Sequence, residues 1–208
     1  MFDVTRYARV AQSLIEAGQF LYANGWSPAT SSNYSARIDD DHVAITVSGR
    51  HKGQLAAGDI MVVDLDGRPV QSATKASAET LLHTVLYRQF PEVGVVLHTH
   101  SVNATVLSRA LADAGRLELR DYELQKAFPG ISTHETALTV PIFDNTQEID
   151  ALSRETADWF AAHPEQPGYL IRGHGLYTWG KTMADCLRHV EAFEFLFACE
   201  LEMMRVTR

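Results

Sequence analysis

Residues able to hold a metal ion stand out first in this chain. In Gly94-Val95-Val96-Leu97-His98-Thr99-His100 an apolar run reads as a strand that ends in two histidines. Residues two apart in a strand project from one face, so His98 and His100 point the same way and Thr99 the other. Two imidazoles side by side can chelate one divalent ion. A His-x-His pair is common without a metal, however, and a catalytic zinc-like site needs a third protein ligand and one open position. His174, in Arg172-Gly173-His174-Gly175, is the candidate, because glycine on either side lets the backbone turn tightly and bring the ring close. Three neutral imidazoles suit zinc and leave a place for a substrate oxygen. His42, His134, His163 and His189 fall at a strand start, in a turn, in a loop and on a helix, where ordinary surface or core roles account for them.

A second chemistry is anion binding. Trp26 to Ser35 is rich in small hydroxyl residues and contains Asn33, and Ser48-Gly49-Arg50-His51-Lys52-Gly53 is a small-residue loop with cations. Lys75-Ala76-Ser77-Ala78-Glu79 opens a helix running to about Phe90, with Ser77 as its N-cap. A helix start offers free N–H groups to an anion. Asn33, Ser48, Gly49 and Ser77 could therefore enclose a phosphate, with Lys52 supplying charge. Glu79 would face the same site, although an acid in a first helical turn also complements the helix dipole. Glu123 reads only as a helix carboxylate.

Composition limits the functions available. A chain of 208 residues can bury one substantial core, and nothing marks a linker, so residues 1–208 are expected to form a single domain. With 46% hydrophobic and 21% charged residues it resembles an ordinary globular protein. A formal net charge of -8 argues against nucleic-acid or anionic-membrane partners, and no apolar run is long enough to span a bilayer. The start, Met1-Phe2-Asp3-Val4-Thr5-Arg6, lacks the regions of a signal peptide, so a cytoplasmic location is expected. Cys186 and Cys199 lie about 20 Å apart along one helix and cannot bridge each other.

Elements alternate along the chain. Helices are expected over 5–22, 101–113, 121–128, 146–162 and from Thr182 to the end, where Thr182 and Asp185 fit a capping box. Strands are expected over 34–38, 43–47, 60–64, 117–120, 138–143, 169–172 and 176–179. The last helix is apolar most of the way round, which suggests a subunit interface.

His98-Thr99-His100 with Arg172-Gly173-His174-Gly175, preceded by Ser48-Gly49 and Ser77-Ala78-Glu79, resembles the class II aldolase family of zinc-dependent sugar-phosphate enzymes over nearly the whole chain. Gly175-Leu176-Tyr177-Thr178-Trp179-Gly180, Glu123-Leu124-Gln125-Lys126 and the final Glu194-Phe195-Leu196-Phe197 are similar to the branch of that family that dehydrates 5-methylthioribulose 1-phosphate in methionine salvage. The resemblance implies a three-layer α/β/α fold around a mostly antiparallel sheet, and a homotetramer with sites near subunit boundaries. It implies one zinc ion on His98, His100 and His174, phosphate held by Asn33, Ser48, Gly49, Ser77 and Lys52, and Glu123 as general acid/base. Glu79 retains the family's aldolase carboxylate where an animal-type dehydratase has cysteine, which keeps a sugar-phosphate aldolase of the fuculose or rhamnulose type as the alternative activity. The complete histidine set argues against a non-enzymatic relative that has lost its ligands.

Overall fold

The computed structural model describes residues 2–70 and 76–207. Eight strands form one sheet: β1 (Asn33–Arg37), β2 (His42–Thr46), β3 (Ile60–Asp64), β4 (Val95–Thr99), β5 (Arg116–Arg120), β6 (Ala137–Phe143), β7 (Gly168–Ile171) and β8 (Gly175–Gly180). Their order is β3-β2-β1-β4-β8-β7-β6-β5. Neighbours run antiparallel except β6 and β7, which are parallel. The histidine-bearing strand β4 thus lies inside the sheet, and every residue of it is buried.

A strand covered on both faces must be apolar on both, which explains the unbroken Val95-Val96-Leu97 run. The helices α2 (Thr80–Gln89) and α4 (Ile149–Ala162) cover one face, where Val96, Tyr169 and Tyr177 pack with Leu82, Leu86 and Phe160. The other face, carrying Tyr34, Leu97 and Leu176, is covered by α1 (Val4–Ala23), α3 (Val102–Ala110) and α5 (Met183–Val206). This is the expected three-layer α/β/α arrangement with a mostly antiparallel sheet.

Helix ends follow their caps. Asp3 accepts the N–H of Arg6 at the start of α1, and Gly25, at φ 76°, turns the chain away after Asn24. Thr182 and Asp185 form the expected capping box of α5. Three expectations need correction. The helix assigned from Lys75 begins at Thr80, because Ser77 closes a turn by accepting the Glu79 N–H at 3.3 Å and the Thr80 hydroxyl through its carbonyl at 2.7 Å; Lys75 itself lies outside the described residues. The helix expected from Thr146 begins at Ile149, because the Thr146 hydroxyl accepts the Glu148 N–H in a preceding turn. Residues 121–128 contain only a 3₁₀ segment, Glu123–Ala127, since Asp121 is left-handed at φ 62° and the Gln125 amide binds the Tyr122 N–H and the Leu119 carbonyl in place of an α-helical turn. The side of α5 that reads as apolar is only partly covered: Phe195 and Met203 are 56% and 50% exposed.

Phe193 pins α5 to the sheet, with no exposed surface and its ring 4.5 Å from that of Phe128 and 5.5 Å from that of Phe197. Phe193→Ala is expected to cost about 3–5 kcal/mol of stability, measured by denaturant unfolding, because the lost burial is joined by an unfilled cavity.

Candidate active site

At the end of β4 the imidazoles of His98, His100 and His174 converge. His98 is fully buried and its Nδ1–H donates to the Leu176 carbonyl at 2.9 Å across the β4–β8 pair, which leaves Nε2 as a bare acceptor pointing inward. That nitrogen is 2.8 Å from His100 Nε2 and 3.2 Å from His174 Nε2. His174 reaches it because Gly173 adopts φ 63°, and because Gly175 has no Cβ to strike the Thr99 carbonyl oxygen. The three ligand atoms lie within 4.8 Å of one another. A tetrahedral ion with nitrogen bonds of about 2.0–2.1 Å needs nitrogens roughly 3.3 Å apart, so the donor set fits a zinc-like ion. Burial pushes the His100 imidazolium down to about 4, aided by His174 beside it, and also pushes the His98 imidazolium well below its ordinary value, so these rings present lone pairs.

Glu79 closes the group. Its Oε1 lies 3.1 Å from His174 Nε2 and its Oε2 3.6 Å from His98 Nε2. Oε2 also accepts from Asn33 Nδ2 at 2.6 Å and from the Tyr177 hydroxyl at 3.1 Å. Burial alone would raise this carboxyl, but the hydrogen bonds from His174 and from the Asn33 amide hold it well below the usual carboxylate range. The sheet register brings these partners together: Asn33 pairs with His98 across β1–β4, and Tyr177 with His98 across β4–β8, so all three project from one face. Tyr177 stacks on His98 at 4.0 Å and on Tyr169 at 4.8 Å.

Beside the imidazoles opens a cavity of about 230 Å³ whose walls include Asn33, Ser48, Gly49, Ser77, Glu79 and His100. Four of the five residues expected to hold a phosphate therefore surround one space, bordered by the carboxylate and one of the three imidazoles. A larger cavity, about 480 Å³, lies at the far end of β8 around Trp179, Lys181 and His189, away from the convergent imidazoles. Lys52 is not in the wall of the smaller cavity. It is 1% exposed, and its ammonium donates to the Arg50 carbonyl at 2.6 Å and the Thr30 carbonyl at 3.4 Å, tying together the two loops that form the wall. Glu123 stands apart from the imidazoles, with its carboxylate 72% exposed and bound to Lys126 at 2.6 Å, His134 lying 3.6 Å away.

Residues 12–201 match the family model described as the class II aldolase and adducin N-terminal domain. The chain belongs to the class II aldolase family. Among its relatives, methylthioribulose-1-phosphate dehydratase of Marinobacter nauticus is 76% identical over 208 residues, covering 100% of both chains. The protein of the same name from Hahella chejuensis is 67% identical, covering 99% of both. An L-fuculose-1-phosphate aldolase structure from Thermus thermophilus superposes with TM-score 0.74 at 26% identity, covering 96% of this chain and 97% of that one. Class II aldolases are generally zinc-dependent, and the three imidazoles of this member supply a donor set that suits such an ion.

Sequence reasoning about this class II aldolase missed Tyr177 and His83. Tyr177 was legible only through strand pairing, which a single sequence does not show. His83 had a signal, since it follows Glu79, the N-cap of α2, by four residues and so lies about one turn along from it.

Two outcomes are expected. Zinc added to chelator-stripped protein at about 100 times its Kd stabilises the fold by about 2.7 kcal/mol, seen as a rise in Tm, and His98→Ala or His174→Ala abolishes the rise. The Lys52 ammonium is pushed down to about 8 by burial, against the pull of Asp59, from an ordinary 10.5. Between those values the unfolded chain binds more protons than the folded one, so this group's contribution to stability rises with pH. Lys52→Met is expected to lose that rise relative to the parent protein in unfolding titrations from pH 8 to pH 10.

Proposed function

We propose that this chain is a zinc-dependent hydro-lyase that converts 5-methylthioribulose 1-phosphate to 2,3-diketo-5-methylthiopentyl 1-phosphate in methionine salvage. The observation that carries the reading is the Glu79 carboxylate, held by Asn33 and Tyr177 and set against three convergent imidazoles on the edge of a hydroxyl-lined cavity. Identity of 76% over the full length with a protein named methylthioribulose-1-phosphate dehydratase favours this substrate over other sugar phosphates.

Asn33, Ser48, Gly49 and Ser77 take the phosphate, with Gly49 at φ 73° leaving its backbone open to the anion. His98, His100 and His174 would hold a zinc ion, which when bound would supply Lewis acidity toward the substrate's carbonyl and neighbouring hydroxyl oxygens and so acidify the C3–H bond. Glu79 Oε1 is the base placed to accept the C3 proton, while Oε2 stays fixed by Asn33 and Tyr177. The C4 hydroxyl then departs as water after receiving a proton from Glu123, and the enol left behind tautomerises to the diketone. Glu123 lies outward in its own subunit, so this role requires it to enter the site of a neighbouring copy. Exposed apolar residues support such an assembly, a cytoplasmic homotetramer of single-domain subunits: Val102 and Val106 on α3, Phe195 and Met203 on α5, and Leu124 beside Glu123.

The zinc-loaded protein is expected to form the diketone from 5-methylthioribulose 1-phosphate and to lose that activity to a chelator. Dihydroxyacetone phosphate released from fuculose- or rhamnulose-type phosphates, with no diketone formed, would assign the chain to the aldolases instead. Glu123→Gln is expected to lower kcat by at least about 100-fold without changing metal content or Tm, because the partners its carboxylate meets, Lys126 and His134, are themselves exposed. Near-native turnover in that variant would remove Glu123 from the mechanism.

A further inference from the structure

Behind the carboxylate runs a line of buried polar groups that the reaction scheme leaves unused. His83, on α2, has no exposed surface, and neither does Ser35 on β1. His83 Nε2 bonds to Asn33 Oδ1, and His83 Nδ1 lies 2.7 Å from Ser35 Oγ. Ser35 Oγ is 2.8 Å from the Tyr87 hydroxyl. Arg37 anchors that end, donating to the Tyr87 carbonyl at 2.7 Å with its guanidinium 5.0 Å from the Tyr87 ring. A continuous run of partners thus leads from the interior to Glu79.

We propose that His83 is a positioning residue for this site: it holds the Asn33 amide in the one orientation that donates to Glu79. A carboxylate only accepts hydrogen bonds, so the end of Asn33 that faces Glu79 must be its NH₂ group. Its oxygen then faces His83 and requires a donor, which makes His83 Nε2 the protonated nitrogen. Nδ1 is left as an acceptor, so the Ser35 hydroxyl donates to it, and the Tyr87 hydroxyl donates to Ser35 in turn. Every hydrogen bond in the line therefore points toward the carboxylate. Burial, which pushes the His83 imidazolium down to about 3 against the attraction of Glu79, keeps the ring neutral as this arrangement needs.

The consequence for the reaction is geometric. Asn33 and Tyr177 both donate to Oε2, which leaves Oε1 turned toward His174 and the cavity. Without the His83 N–H the amide gains nothing from keeping its oxygen inward. A flipped Asn33 would set a carbonyl oxygen against the carboxylate and remove one donor from the cavity wall that also holds Ser77, 3.4 Å from Asn33 Nδ2. Second-layer partners of this kind are typically worth about 10–100-fold in activity or affinity.

The inference rests on Glu79 serving the reaction, so the test has an arm that does not depend on turnover. In protein labelled with ¹⁵N-histidine, the His83 ring, assigned by the signals lost in His83→Gln, is expected to be the neutral Nε2–H tautomer from about pH 6 to 8. An Nδ1–H tautomer or a charged ring overturns the proposal. In turnover, His83→Leu is expected to lower kcat/KM about 10–100-fold with zinc content intact. His83→Gln, whose amide can place an N–H where Nε2–H stood, is expected to recover to within about threefold of the parent. Equal losses in both variants, or none in a folded His83→Leu, also overturn it. If His83→Leu does not fold, the tautomer alone decides. A parent protein that forms no diketone sinks the dehydratase reading and leaves the tautomer result standing.

Discussion

The bond from His98 Nδ1–H to the Leu176 carbonyl is the constraint on which the site depends. It fixes the tautomer of a fully buried ring, and so it fixes where the bare Nε2 points. Two more imidazole nitrogens are then brought against that lone pair at the edge of the cavity. Lone pairs at 2.8 Å and 3.2 Å repel unless a proton or a cation lies between them. Glu79 adds negative charge at the same place. The cluster is therefore built for a cation, and its neighbours hold it in wait: strand pairing on both sides of β4, a tyrosine stacked on His98, and glycines that let the His174 turn close in.

The sheet does this with few special residues. Because Asn33, His98 and Tyr177 are cross-strand partners on one face, a single register in β1, β4 and β8 places the carboxylate's two donors and the central imidazole together. A slip of one residue in any of the three strands would turn one of them into the opposite layer, against the apolar residues under α1, α3 and α5. Register here is enforced by burial on both faces, and so the energy that specifies the fold also specifies the site.

Much of this was legible in the sequence. The two-residue spacing of His98 and His100 and the glycines around His174 predict convergence because they are local rules of strand and turn geometry. The alternation of apolar runs with helical periodicity predicts an α/β chain, although the three-layer, mostly antiparallel arrangement came only from the resemblance and the strand order only from the structure. Positions decided by tertiary approach were not legible. Nothing in the small-residue loop of Ser48 to Gly53 indicates that Lys52 turns inward to backbone carbonyls instead of outward to an anion. A positive φ at Asp121 and the side-chain bonds of Gln125 replace an apparent helix with a 3₁₀ turn that carries Glu123 outward, to Lys126 and His134.

The inward Lys52 changes how the anion is to be understood. A chain of net charge -8 has no broad positive field with which to collect phosphates. Its buried ammonium binds Thr30 and Arg50 rather than facing the cavity, yet its charge is felt at His100, whose proton affinity it lowers. One cation thus braces the two loops and biases the potential of the space between them. In the proposed reaction the direct contacts to phosphate fall to hydroxyls, an amide and an open glycine backbone, groups that select by shape and donor direction. A phosphate held in this way would depend on the fit of the whole substrate, including the oxygens it offers to a metal on the three imidazoles, rather than on its charge alone.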